Sequence, residues 1–346
     1  MSTVRWIHHN RKAYDSGLGV SWQDPILESR QVAIYFCTVA AATVAALLVP
    51  DTTALFEVAV NPALALMLFV TFLQVPVAEL KRALGQLRFL TALVVANFVV
   101  APLLVGVLVQ FLPVDPMVQF GVLLVLLTPC IDYVVTFSHL GRADARLLLA
   151  ATPALLIAQM LLLPGYLGVF LGEDAARLVK LGPFIHAFVW LIAVPLALAA
   201  LTQVWAALSA TGSRVATKLG LMPVPATALV LFVVVAAVVP QLGPAIDVAW
   251  RVVPIYVAFA ICAPLLGWLV ARISRLEAAA GRAIAFSVGT RNSLVVLPLA
   301  LAVPGAVPVL PAIIVTQTLV ELFSELVYVR LIAMLGSGDP AGSQTS

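Results

Sequence analysis

Apolar, nearly uncharged stretches of about 20 residues recur along most of the chain, and a helix needs about that length to cross the hydrocarbon core of a bilayer. Ten such stretches are predicted as spanning helices, near 31–49, 56–75, 89–111, 117–138, 147–171, 184–208, 226–243, 250–271, 283–303 and 308–334. Between them lie clusters of breakers and polar residues such as "VPDTT", "LPVDP", "HLGRADAR", "QLGPAID" and "VPGAVP". The pattern predicts an all-α integral membrane protein.

The placement of Lys and Arg checks this span count independently, because cytoplasmic loops are enriched in positive charge. One alternating set of segments holds fifteen of the nineteen basic residues: Arg5, Arg11, Lys12, Arg30, Lys81, Arg82, Arg88, Arg142, Arg146, Arg214, Lys218, Arg272, Arg275, Arg282 and Arg330. The other set holds only Arg177, Lys180 and Arg251. A multi-pass cell-membrane protein with both termini cytoplasmic is therefore expected. The remaining basic residue, Arg291, falls inside the ninth stretch.

Composition narrows the class further. The chain is 63% hydrophobic and 10% charged, against about a quarter charged in a soluble domain. A phosphate-cradling glycine loop, an H-E-x-x-H pair and a nucleophile elbow are all missing from the sequence, so no enzyme is expected. Cys37, Cys130 and Cys262 are widely spaced in apolar surroundings, which suggests neither a disulfide framework nor a metal site. No cofactor and no nucleic-acid partner is expected. The first 30 residues are polar and mixed in charge, so no cleavable leader is expected either.

Ten spans divide into five and five, and an odd-numbered repeat must insert its second copy upside down. The expected organisation is a cytoplasmic N-terminal segment 1–30, a first five-helix repeat 31–175, a second, inverted one 176–335 and a short cytoplasmic tail 336–346. In such plans the binding site is marked by interrupted helices at matching positions in the two halves. The fourth span, "LLVLLTPCIDYVVTFSHLGRAD", holds Thr128, Pro129 and Asp132, and the ninth, "AIAFSVGTRNSLVVLPLALAV", holds Gly289, Thr290, Arg291, Asn292 and Ser293. Polar, irregular backbone at membrane depth is tolerated where it is buried in protein or lines a cavity. A charge at the centre of a span costs about 2.5–3.5 kcal/mol on insertion scales, so it normally has a partner or a pathway to serve. If the two breaks cross, Asp132 and Arg291 meet near the crossing. They are then either functional or a buried ion pair that only fixes helix register.

With these residues in hand, the chain from about residue 31 to 335 resembles the bile acid/arsenite/riboflavin transporter superfamily, whose members have the bile acid:sodium symporter fold. "PCIDYVVTFSHLGRAD" is similar to the Pro-Cys segment of the arsenite-efflux permeases, and "LVEL" at 319–322 to their last span. The resemblance implies a substrate-binding role for Cys130, a functional carboxylate at Glu321 and a polar site residue at Asn97, ahead of Pro102. Where the sodium-coupled members carry a sodium-binding glutamate and glutamine, this chain has Ser287 and Arg291. A guanidinium there repels a cation, so the likeness carries the fold and not the coupling ion.

The reading is a secondary active transporter, driven by the proton-motive force and exporting arsenite or a related small oxyanion. The alternatives are an organic anion (carboxylate) transporter and, more distantly, a non-transporting membrane sensor or scaffold. The expected partners are a small inorganic or organic anion, protons and membrane lipid. Substrate binding is assigned to Asn97, Thr128, Cys130, Thr290, Arg291, Asn292 and Ser293, and proton coupling to Asp132 and Glu321. Thr136, Ser287, Gln317 and Glu325 are further polar candidates. Glu321 and Glu325 stand four apart on one helix face, where they suit a proton relay unless Glu325 simply pairs with Arg330 or solvent.

Overall fold

A computed structural model of the chain describes residues 25–49, 53–74, 86–131, 133–172, 182, 185, 186, 189–241, 243–301, 303, 305 and 308–336. Among them every extended regular element is helical. In chain order these are α1 (Pro25–Leu48), α2 (Thr53–Leu73), α3 (Leu87–Val109), α4 (Pro116–Leu126), α5 (Val134–Leu140), α6 (Ala145–Leu171), α7 (Val189–Leu208), α8 (Ala210–Leu219), α9 (Pro223–Val238), α10 (Ile246–Ile273), α11 (Ala278–Gly289), α12 (Ser293–Leu301) and α13 (Val309–Leu331). Among the described residues six helices are long and apolar enough to cross a membrane, or up to seven if α8 and α9, bent by 46°, form one span. The shortfall from the ten expected has a local cause at two places. The fourth and ninth stretches are each found as two short helices, α4 with α5 and α11 with α12, so none of the four pieces reaches spanning length alone.

Sequence chemistry sets several of these boundaries. Asp115 opens α4 by accepting the backbone N–H groups of Met117 (2.9 Å) and Val118 (3.3 Å), and Pro116 occupies the first helical position, where no N–H is needed. Asp144 opens α6 in the same way through Leu147 N at 3.3 Å, and its own N–H donates to Ala279 O at the start of α11 (3.0 Å). Within α3 the residues Ala96–Val100 form one π-helical turn ahead of Pro102. That wider turn places Asn97 in the interior and leaves Phe98 O to accept the Tyr166 hydroxyl from α6.

The helices pack as two groups. In one, α10 lies against α3, α11 and α13, while α13 also meets α4, α5 and α12, and α6 covers α4, α5 and α11. In the other, α9 packs on α1 and α2, and α7 packs on α2 and α8. The groups touch where α9 meets α12 and α13 and where α12 meets α2. Outer faces carry large apolar side chains such as Leu103, Leu161, Leu208, Trp250 and Phe323, all exposed in the isolated chain. Such faces suit a lipid solvent.

Lipid supplies no hydrophobic drive between helices, so close approach of small residues carries much of the association. Gly267 of α10 illustrates it: a Cβ there would sit 3.1 Å from the Ala285 Cα and the Ile284 carbonyl oxygen of α11. At the cytoplasmic side expected from the charge pattern, Gly141 leaves room for the Phe286 ring, which a Cβ would meet at 2.3 Å. Beside it, Arg282 donates to Arg142 O (2.8 Å) and to Leu335 O (2.9 Å), tying the end of α5 to the segment after α13. Replacing Gly267 by Val is expected to push α11 off α10 and lower stability by about 1–3 kcal/mol, the usual range for overpacking. The melting temperature of the detergent-solubilised protein measures it, and an unchanged value would mean that the contact is slack.

Candidate functional site

The two breaks meet. Cys130 N donates to Thr290 O (3.1 Å) and Asn292 N donates to Thr128 O (2.8 Å), forming a minimal antiparallel bridge with Pro129 opposite Arg291. A helix end at membrane depth leaves backbone donors and acceptors with no water to satisfy them, at several kcal/mol per group. Here each break supplies what the other lacks. Pro129 brings no N–H of its own, and the Thr128 hydroxyl returns to the Leu124 (3.1 Å) and Val125 (2.9 Å) carbonyls at the end of α4. The Gly289 position faces the Tyr328 ring, with a Cβ-to-ring distance of only 3.0 Å.

Glu321 of α13 holds both breaks at once. Its Oε2 accepts Arg291 N and Gln317 Nε2, both at 2.6 Å, and its Oε1 accepts the Tyr133 hydroxyl just after the first break. One turn on, Glu325 Oε1 lies 2.5 Å from Thr290 Oγ1, which is also 2.7 Å from Phe286 O. The second Glu325 oxygen has no partner among the described residues. Glu325 is fully buried and Arg330 is exposed, so the expected alternative of a pair with Arg330 or solvent is replaced by the contact to Thr290. Ser293 Oγ accepts from Thr318 Oγ1 at 2.8 Å, and Asn292 Oδ1 accepts Val295 N at 3.4 Å, which starts α12.

The Arg291 side chain, fully buried, turns back along α11. Its Nη2 donates to Val288 O in the last turn of that helix and to Asn97 Oδ1 at 3.3 Å. Asn97 is itself held by donating to Ser287 Oγ (2.9 Å) and Leu93 O (3.1 Å). The guanidinium carbon lies 5.0 Å from the centre of the Phe259 ring, a cation–π contact at a desolvated site. The helix C-terminus carries partial negative charge, so a cation is well placed there. Nε and Nη1 have no partner among the described residues. A small cavity of about 10 Å³ opens beside this assembly, lined in part by Leu126, Tyr256, Phe259, Gly289, Gln317 and Glu321.

Of the residues assigned from sequence, Asn97, Thr128, Cys130, Thr290, Arg291, Asn292, Ser293 and Glu321 are all buried and converge on the crossing or on the polar cluster joined to it. Ser287, Gln317 and Glu325 join them through the bonds above. Thr136 is half-buried on α5 and makes none of these contacts. Asp132 lies outside the described residues, and with it the expected Asp132–Arg291 pair. Cys37 is exposed and Cys262 half-buried, and neither takes part in the bonds above. Two participants carried little signal in the sequence. Tyr133 follows the Asp132 position and is marked only by lying at a break, while Phe259 is one apolar residue among many in α10.

Comparison with known proteins bears on the chain as a whole. No match is found among curated proteins. The model of the Sodium Bile acid symporter family matches residues 61–243, just over half of the 346-residue chain. The matched stretch runs from α2 to the residues just after α9 and includes the first break, whereas Arg291, Glu321 and Glu325 follow it. On the extent of that match, the chain belongs to the sodium bile acid symporter family.

Proposed function

We propose that the protein is a secondary active transporter that moves a small anion across the membrane. The observation that carries this reading is the buried Arg291 guanidinium at the meeting point of two broken helices, with two of its N–H-bearing nitrogens unpartnered among the described residues. A buried cation with spare donors suits an oxyanion or carboxylate, which guanidinium binds in a bidentate fork. In this reading the chain has ten spans in two inverted five-helix repeats, 31–175 and 176–335. The group of helices around α10 and α13 rocks against the group around α2 and α9, exposing the crossing to each side in turn.

Efflux of arsenite or a related small oxyanion, driven by the proton-motive force, is the first form of this proposal. Cys130 supports it: the residue is buried in the bridge itself, and a thiolate is a soft ligand for a soft centre such as trivalent arsenic. Transport of an organic carboxylate is the second form, supported by the spare guanidinium donors. Both forms use protons, not sodium, since the guanidinium fills the negative end of α11 that a bound cation would otherwise use. Glu321 and Asp132 are the groups assigned to proton coupling. Protonating Glu321 would weaken an acceptor shared by Tyr133, Arg291 and Gln317, and so loosen both breaks together.

Uptake into everted membrane vesicles tests these statements with arsenite, antimonite and acetate, with and without a pH gradient. Arg291→Gln is expected to remove transport of every substrate the wild type carries, with a binding loss of about 2–5 kcal/mol, as for truncating one partner of a buried charge pair. Flux that survives R291Q would refute the clamp. Cys130→Ala is expected to abolish arsenite and antimonite flux and to spare acetate; arsenite flux that persists in C130A would leave the carboxylate form standing. A sodium gradient imposed alone is expected to drive nothing, and accumulation under that condition would overturn the argument from the guanidinium.

A further inference from the structure

The hydrogen bonds around Thr290 require more hydrogens than its hydroxyl provides. A threonine hydroxyl has one hydrogen to donate and lone pairs to accept with. Thr290 Oγ1 is nevertheless 2.7 Å from Phe286 O in its own helix and 2.5 Å from Glu325 Oε1 in α13. A single hydrogen shared between two acceptors gives longer arms to neighbouring carbonyls, as at Thr128, where they are 3.1 and 2.9 Å and both end in α4. At Thr290 both arms are short and they end on different helices. If Glu325 were ionised, one of these short oxygen–oxygen contacts would hold no hydrogen and would be repulsive. A hydrogen on the Glu325 carboxyl removes the conflict, because Glu325 then donates to Thr290 Oγ1 and Thr290 donates to Phe286 O.

The rest of the surroundings agree with a neutral acid. Glu325 is fully buried, its second oxygen has no partner among the described residues, and an ion in that position would be left largely unsolvated. Tyr328, the next titratable group along the helix, donates its hydroxyl to Ala260 O instead. Glu321, one turn earlier, accepts three donors, the complement suited to a carboxylate. From the other elements packed against α13, the described charged or titratable groups are Arg291, Cys130 and Tyr133 at the breaks, Arg282 on α11, His139 at the end of α5, Arg30, Tyr35 and Cys37 on α1, and Asp247, Arg251, Tyr256, Cys262 and Arg272 on α10. Tyr256 donates its hydroxyl to Ile313 O, and His139 is exposed.

We infer that Glu325 holds the resident proton of the transport cycle and Glu321 its resident negative charge. This deepens the transporter reading and rests on it for the role in coupling. The step balances simply: the Glu325 O–H gives its proton toward Glu321, leaving Glu325 a carboxylate and Glu321 an acid. Thr290 then turns its hydrogen from Phe286 O to Glu325, and Arg291 N loses a charged acceptor. The second break is thereby released by moving one proton along one face of α13.

Two measurements on protein reconstituted in liposomes test this. In infrared difference spectra at neutral pH, the wild type should show a protonated-carboxyl C=O band that Glu325→Gln removes and Glu321→Gln keeps; a band unaffected by E325Q overturns the assignment. An amide reproduces the donor of a protonated acid, so E325Q should fold and melt at least as high as the wild type, and a variant that fails to fold also overturns it. With arsenite and acetate as probes, E325Q should lose accumulation driven by a pH gradient, and whatever flux remains should no longer vary with pH. Gradient-driven accumulation by E325Q refutes the coupling role. If the wild type moves neither probe, the transporter reading and the coupling role fail together, while the infrared band separately decides where the proton resides.

Discussion

The structure turns on a backbone constraint. Two helices stop and restart inside what is read as a lipid-immersed bundle, and each stop strands carbonyls and N–H groups where no water can reach them. The bridge of Thr128 and Cys130 with Thr290 and Asn292 satisfies these groups pairwise. Neither break is self-sufficient, and this dependence makes the crossing one unit. Side chains then secure what the backbone begins, with Glu321 reaching residues of both breaks from a single position on α13.

Burial of a guanidinium follows from the same arrangement. A lone cation in an apolar interior is unfavourable unless dipoles and acceptors surround it. The break makes such a place by ending α11 beside Asn97, so that the Val288 carbonyl, the Asn97 amide oxygen and the Phe259 ring face one charge. The interactions that stabilise Arg291 leave part of its hydrogen-bonding capacity unused among the described residues.

Much of this was legible in the sequence, and the limits of legibility have physical causes. Pro129, Gly289 and the run Thr290–Ser293 announce the breaks because proline and polar residues are exceptional at membrane depth, and they lie where the bridge forms. The partners of Arg291 among the described residues were not readable: Glu321 takes its backbone N–H and the guanidinium turns to a carbonyl and an amide, while Asp132, the carboxylate expected beside it, lies outside the described residues. Phe259 and Tyr133 were invisible for a different reason: one is an apolar residue in an apolar helix, and the other gains meaning only through a contact 188 residues away. The split of the fourth and ninth stretches into short helices likewise follows from residues the pattern displays, Pro129 in one and Gly289 with the polar run after it in the other.

The π-helical turn in α3 has a consequence of its own. One residue beyond the α-helical repeat is stored there, so the halves of α3 on either side are out of phase by about 100°, the rotation of one residue. Asn97 sits in that turn, bonded to Ser287 and Arg291, and the Tyr166 hydroxyl holds the adjacent Phe98 carbonyl. A surplus residue in a helix acts like a dislocation in a crystal: it can glide by a turn with few bonds exchanged, rotating one half of the rod against the other. In α3 that dislocation lies where Asn97 bonds Ser287 and Arg291, so the extra residue and the second break share one set of polar contacts.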